Sequence, residues 1–191
     1  MNDLFSTSGD ALVRGFFYQP YFLSELEEAA LLDEIQKLPL EQAEYKQYLA
    51  KRRIRSFGAS YNFSANRLTE AEPIAEFLRP LRERVAAWTA RTADEFTQSL
   101  VAEYAPGTQL GWHRDVPDFE LVVGVSLLSA CTMRFRRYPS QPRERSLAVD
   151  LAPRSIYRLQ GEARWEWQHR IPPTPALRYS ITFRTLSARL G

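Results

Sequence analysis

From Phe96 onward the chain breaks into short alternating segments cut by turn residues, and this pattern commits that half to β structure. Seven segments read as strands: SLVAEYA, ELVVGVSLL, CTMRFRRY, SLAVDLA, SIYRLQ, ARWEWQH and RYSITFRTL. Between them, APGTQLG, YPSQPRE and IPPTP carry the proline and glycine that turns need. Helices first and short strands after predict an α+β chain, a β-sandwich or jelly roll with helices supporting one sheet.

The first half supplies those helices. Residues 1–10 are small and polar and read as a loose terminus. LVRGFFYQPYFL is β-rich and ends at Ser24, where Ser24-x-x-Glu27 forms a capping box. A helical stripe of Leu26, Ala29, Ala30 and Ile35 follows until Pro39 stops it. Residues 41–68 are polar and aromatic without clear period; within them RRIRSFGASYNFS predicts two short strands and a turn near Gly58. Pro73 is expected to start a second helix, in which Ile74, Phe77, Leu78, Leu81, Val85 and Trp88 recur at helical spacing. No repeat, low-complexity tract or boundary interrupts the chain, so one domain over 1–191 is expected, with its jelly-roll core at about 96–187.

Composition restricts the setting more than the activity. With 45% hydrophobic and 13% aromatic residues, the chain reads as soluble and globular. Cys131 is the only cysteine, which excludes an internal disulfide and suits a reducing, cytoplasmic compartment. MNDLFSTSGDALVRGFF lacks a basic start and a long apolar run, so neither a signal peptide nor a membrane anchor is expected. A monomer is the expected state. Net charge is only +2, but lysine occurs only at 37, 46 and 51, so arginine supplies nearly all the positive charge. Guanidinium forks grip carboxylates and phosphates through two parallel hydrogen bonds. A GC-rich coding sequence would produce the same bias.

The only two histidines, His113 and His169, both read as lying at strand ends. In extended backbone, residues i and i+2 point to one side. His113 and Asp115 can therefore reach one ion, and His169 completes a set of two imidazoles and one carboxylate. That set suits non-haem Fe(II), while a catalytic Zn(II) would accept it too. In the last segment, polar residues take the even positions and Tyr179, Ile181 and Phe183 the odd ones. One face thus presents Arg178, Ser180, Thr182 and Arg184. Two arginines on one face of a barrel strand need anions, because a buried unpaired guanidinium is very costly. A dicarboxylate would satisfy both; a solvent-facing strand would show the same alternation.

EYAPGTQLGWHRD, GEARWEWQHRIPP and RYSITFR, in this order and spacing, resemble the AlkB family of Fe(II)/2-oxoglutarate dioxygenases. The resemblance runs from about Leu12 to Leu186, and G-E-x-R-x-x-W-x-H, Gly161 to His169, is similar to the branch with tRNA-modifying members. It implies a double-stranded β-helix (jelly roll) with supporting N-terminal helices and a nucleotide-recognition lid at about 50–68. It also implies Fe(II) held by His113, Asp115 and His169, with 2-oxoglutarate as co-substrate and O2. Arg178 would pair with the distal carboxylate of 2-oxoglutarate, and Arg184 would lie near the chelating one. Tyr104 would hydrogen-bond the co-substrate, with Ser180 on the same face. The chain departs from the pattern at Ala102 and Ser180, where many members carry asparagine. Pro117, followed by Asp118, replaces an acidic residue frequent in bacterial repair members, and Ala59 stands where the lid often has an aromatic residue.

The implied activity is oxidative dealkylation of methyl or etheno adducts on DNA or RNA bases, a direct-reversal repair. A base inside a duplex cannot reach such a centre. The partner would be single-stranded nucleic acid or a flipped base, at roughly a few kcal/mol for flipping. Tyr61 and Phe63 in the lid, with Trp112, Trp165 and Trp167, are candidates to stack on it, and Arg164 is a further candidate contact. Taken singly, each aromatic reads more readily as a core residue. Arg134, Arg136, Arg137, Arg143 and Arg145 span an expected hairpin and suit phosphates. Two other readings remain open: 2-oxoglutarate-dependent hydroxylation of a tRNA modification or protein side chain, and a non-enzymatic jelly-roll binding module.

Overall fold

Alternation along the strands sorts side chains into a polar pocket and two apolar layers. The structure, a computed structural model, describes residues 13–45, 48–62, 65, 67–140 and 145–188. Its first elements are β1 (Phe16–Gln19), α1 (Glu25–Gln36), β2 (Glu41–Tyr45), β3 (Tyr48–Phe57), β4 (Ala59–Asn62) and β5 (Arg67–Glu70). A 3-10 turn, Glu76–Leu78, runs into α2 (Arg79–Trp88). There follow β6 (Phe96–Tyr104), β7 (Leu110–His113), β8 (Phe119–Leu127), β9 (Cys131–Arg137), β10 (Leu147–Leu151) and β11 (Ile156–Leu159). Last come the short helix α3 (Gly161–Trp165), β12 (Trp167–Ile171) and β13 (Arg178–Leu186).

The major sheet has the order β1-β11-β8-β13-β6-β3-β2 and the minor sheet β10-β9-β12-β7, while β4 and β5 form a separate ribbon. This is the jelly roll. Between the two sheets lies a core that includes Val122, Met133, Phe135, Leu151 and Leu159. On the other side of the major sheet, Ile35, Leu81 and Val85 of the helices pack against Val123, Ile181 and Phe183. Full burial of each such side chain stabilises by roughly 1.5–3 kcal/mol. With a layer on each side, β8 is buried on both faces, which is why FELVVGVSL reads as a nearly continuous apolar run. Its Gly124 makes room for a neighbour, since a Cβ there would lie 2.3 Å from the Tyr157 ring.

Several local expectations are corrected. The capping box at Ser24 and Glu27 is present, but α1 buries Glu28, Leu31 and Ile35, and Leu26 is 84% exposed. The second helix starts at the 3-10 turn rather than at Pro73, and Pro80, in the first turn of α2, occupies a place where its missing N–H is harmless. ARWEWQH is not one strand: residues 161–165 turn as α3, with Glu166 N–H donating to Glu162 O at 2.7 Å. His169 therefore sits in the middle of β12, not at a strand end. β7 was not among the expected strands. Of the expected lid, residues 50–57 belong to the major sheet through β3, and the ribbon alone stands apart.

Candidate metal centre and co-substrate pocket

His113, the last residue of β7, stands opposite His169 on β12, and their ring centroids are 4.3 Å apart. Asp115 follows two residues later, and the candidate ligand atoms of the three residues all lie within 4.8 Å of one another. Hydrogen bonds decide which atoms face an ion. Nδ1 of His113 is 2.9 Å from the Gly111 carbonyl. A carbonyl only accepts, so Nδ1 carries the proton and Nε2 keeps its lone pair. Arg184 holds Asp115 from one side, with Nε and Nη2 each 2.9 Å from Oδ1. Oδ2 is buried without a hydrogen-bond partner, 3.7 Å from Nε2 of His169.

Burial pushes both imidazoles toward the neutral form, His169 down to about 3 with the neighbouring His113 adding to the effect. Burial alone would raise the Asp115 carboxyl. The Arg184 guanidinium, followed by His169 and His113, outweighs it and holds the group well below the usual carboxylate range. Two neutral imidazoles and a carboxylate oxygen with no other partner make a donor set that fits a divalent ion, since buried polar atoms are rarely left unpaired.

The same pocket continues along the major sheet. Arg178, Ser180, Thr182 and Arg184 of β13 line it, and Tyr179, Ile181 and Phe183 enter the core beneath the helices. Arg178 is 1% exposed; its Nε donates to Ser126 Oγ at 3.2 Å, and no carboxylate of the described residues forms an ion pair with it. Tyr104 faces it across the β13–β6 pair, with its ring 5.0 Å from the guanidinium. Ser180 lies opposite Ala102 on one side and Ser126 on the other. The two departures from asparagine are thus neighbours in one row of short side chains.

A family model described as the 2OG-Fe(II) oxygenase superfamily matches residues 15–184. The chain belongs to that superfamily. As a member it is an oxygenase that uses Fe(II), 2-oxoglutarate and O2, and His113, Asp115 and His169 form its candidate iron site. It is 29% identical over 183 residues to the "Alkylated DNA repair protein ALKBH8 homolog" of Arabidopsis thaliana, covering 84% of this chain and 51% of that protein. It is 25% identical over 173 residues to the tRNA (carboxymethyluridine(34)-5-O)-methyltransferase ALKBH8 of Mus musculus, covering 86% of this chain and 25% of that protein. The chain thus spans about half or less of these curated relatives. In fold it is similar to OsALKBH1, with a TM-score of 0.66, 16% identity, and 90% of this chain and 96% of that one covered. A Pseudomonas putida prolyl-4-hydroxylase gives 0.63 and 16%, covering 93% and 95%.

The oxygenase does not gather every expected contact at its pocket. Tyr104, Arg178, Ser180 and Arg184 line it with the three candidate ligands. Trp112 does not: it points to the outer face of the minor sheet, because His113 beside it points inward. Trp167 is packed in the core between the sheets. Arg164 is 2% exposed and spends its donors on the carbonyls of Val116 and Phe119, so it fixes the turn after Asp115 rather than reaching a base. Trp165 donates to Glu120. Tyr61 is half-buried on β4, away from the pocket lining, and Phe63 lies outside the described residues. Of the hairpin arginines, Arg137 pairs with Glu166 and Arg143 lies outside the described residues. Sequence reasoning missed Arg52 and Tyr157, which both line the pocket. The notch at Gly124, opposite Tyr157 in the β11–β8 pair, becomes visible only once the register is known.

Proposed function

We propose that this oxygenase oxidises alkyl groups on nucleic-acid bases, removing methyl or etheno adducts from single-stranded or flipped-out DNA or RNA. The observation that carries the nucleic-acid reading is the outer face of the minor sheet, directly behind the metal ligands. There Arg136 and Arg170 lie 4.5 and 4.9 Å from the Trp112 ring, and Arg134 stands opposite Arg170 on the next strand. No carboxylate of the described residues pairs with any of these guanidiniums, whose charge and aromatic neighbour suit a phosphate backbone. The names of the two relatives, one an alkylated-DNA repair protein and one a tRNA methyltransferase, support the same substrate class.

Bound Fe(II) with 2-oxoglutarate and O2 would supply the oxidant for a C–H bond. The residues' part is placement. His113, Asp115 and His169 would hold the metal, Arg184 keeps Asp115 turned so that Oδ2 faces it, and Arg178 with Tyr104 would receive the distal carboxylate. A hydroxymethyl group left on a base nitrogen then loses formaldehyde and returns N–H to the base. The test is a panel of methyl- and etheno-modified oligonucleotides with His113→Ala as control. Formaldehyde or aldehyde release with succinate, absent in the control, is expected; release that survives in His113→Ala would sink the assignment. A second reading is hydroxylation of a tRNA modification; the mouse relative's name, a tRNA methyltransferase, favours it only in naming tRNA as the substrate. Succinate release stimulated by tRNA, with no aldehyde from any modified oligonucleotide, would select it.

A further inference from the structure

Arg52 extends a row of donors across three strands. Arg178 on β13 faces Tyr104 on β6. The β3–β6 register pairs Arg53 with Glu103, which brings Arg52 beside Tyr104 on its other flank. The Tyr104 ring lies between two guanidiniums, 5.0 Å from that of Arg178 and 5.9 Å from that of Arg52. Nη1 of Arg52 donates to Tyr104 Oη at 3.4 Å, while its Nε is buried with no hydrogen-bond partner. Buried polar atoms of this kind are usually satisfied, so this N–H is free to donate to an acceptor bound in the pocket.

Charge narrows what that acceptor is. Among the three arginines of the pocket, Arg184 is neutralised by Asp115. Arg178 and Arg52 have no such carboxylate among the described residues, so an anionic group bound between them would meet two uncompensated guanidiniums. The adjacent row, Ser126, Ser180 and Ala102, has only short side chains. An anion at this depth therefore depends on the longer donors of the Arg178–Tyr104–Arg52 row. We propose that Arg52 is a second guanidinium for the distal carboxylate of 2-oxoglutarate, closing on it from the opposite side of Tyr104 to Arg178. Arg52 is then a co-substrate-positioning residue contributed by the strand that leads into the β4–β5 ribbon. The proposal rests on the family's co-substrate and not on the nucleic-acid reading, so either can fail alone.

The test reads binding rather than turnover. Fe(II)-loaded protein, kept anaerobic, is titrated with 2-oxoglutarate and separately with 2-oxobutyrate, which keeps the chelating group and lacks the distal carboxylate. Calorimetry and the charge-transfer absorbance of the chelate report each affinity. Arg52→Ala is expected to weaken 2-oxoglutarate about tenfold or more, the usual size for losing a hydrogen bond to a charged group. It should leave 2-oxobutyrate unchanged, and Arg52→Lys should recover part of the loss. Unchanged 2-oxoglutarate affinity overturns the proposal. So does equal weakening of both acids, which would mean general damage to the pocket, or an effect confined to the KM for an oligonucleotide, which would give Arg52 to the substrate. If Arg52→Ala does not fold, Arg52→Gln and Arg52→Lys carry the same comparison.

Discussion

The two ends of the pocket are built on opposite principles. At the metal end the protein supplies its own counter-charge: Arg184 saturates Oδ1 of Asp115, the Gly111 carbonyl fixes the His113 tautomer, and one carboxylate oxygen is left over for an ion. At the other end Arg178 is buried with no carboxylate of the described residues beside it. The first end is pre-organised before anything binds, whereas the second carries an uncompensated charge that only a ligand removes. The difference predicts that damage at the metal end abolishes chemistry, while damage at the far end changes which small molecule is held.

The largest effect should follow Asp115→Asn. It removes the negative charge and leaves the Arg184 guanidinium facing an amide, so Fe(II) affinity should fall by more than about 100-fold, beyond the usual range for loss of a ligand's supporting partner. Succinate formation should vanish with it. Retention of Fe(II) at near wild-type affinity would mean that Asp115 is not a ligand.

A paired experiment separates the ends. Arg184→Ala frees Oδ1 and lets the carboxylate turn, which should lower metal affinity by about 10–100-fold. Arg178→Ala should leave metal affinity alone and weaken 2-oxoglutarate by a similar factor, since hydrogen bonds to charged groups contribute about 1.5–3 kcal/mol. Metal and co-substrate titrations of both variants check this. If both arginines affected the same ligand equally, the contrast between the ends would collapse.

The same contrast explains what could be read in advance. β13 is buried on both faces, yet its alternation survives because one face meets a polar pocket and the other an apolar core. Its site residues were therefore legible, and so were the two histidines, being the only ones present. The segment before β12 was misread because Trp165, Trp167 and His169 imitate a strand period from the start. What bends 161–165 into α3 includes a tertiary contact, Ala163 N–H to the Arg14 carbonyl at 3.0 Å. Arg164 was illegible for a related reason: the carbonyls it binds lie 45 and 48 residues away along the chain. Arg52 sits in a stretch with no period, and its neighbour Tyr104 is set by sheet register.

Acid should expose the metal end more gradually. Both imidazoles bind protons less readily in the folded chain than at their ordinary value of 6.5. The unfolded chain then takes up more protons below that value, so the stability this contributes is present above 6.5 and lost as pH falls toward about 3 for His169. The metal-free protein should melt at steadily lower temperature from neutral to mildly acid pH, and His169→Gln should flatten that slope. An equally steep fall in His169→Gln would place the acid sensitivity elsewhere.

The smallest effect belongs to the far side of the same strands. Arg136 and Arg170 flank Trp112 behind His113 and His169, so they can grip a phosphate backbone without touching the chemistry. Each phosphate contact to a single strand contributes about −0.7 to the slope of log affinity against log salt. Arg136→Ala with Arg170→Ala should therefore flatten that slope by roughly 1.4, while the 2-oxoglutarate affinity and the turnover without oligonucleotide stay as they are. An unchanged slope would mean that the strand takes another route to the pocket. A changed 2-oxoglutarate affinity would show that the two faces of the minor sheet are coupled, and that the metal end is less self-contained than its hydrogen bonds imply.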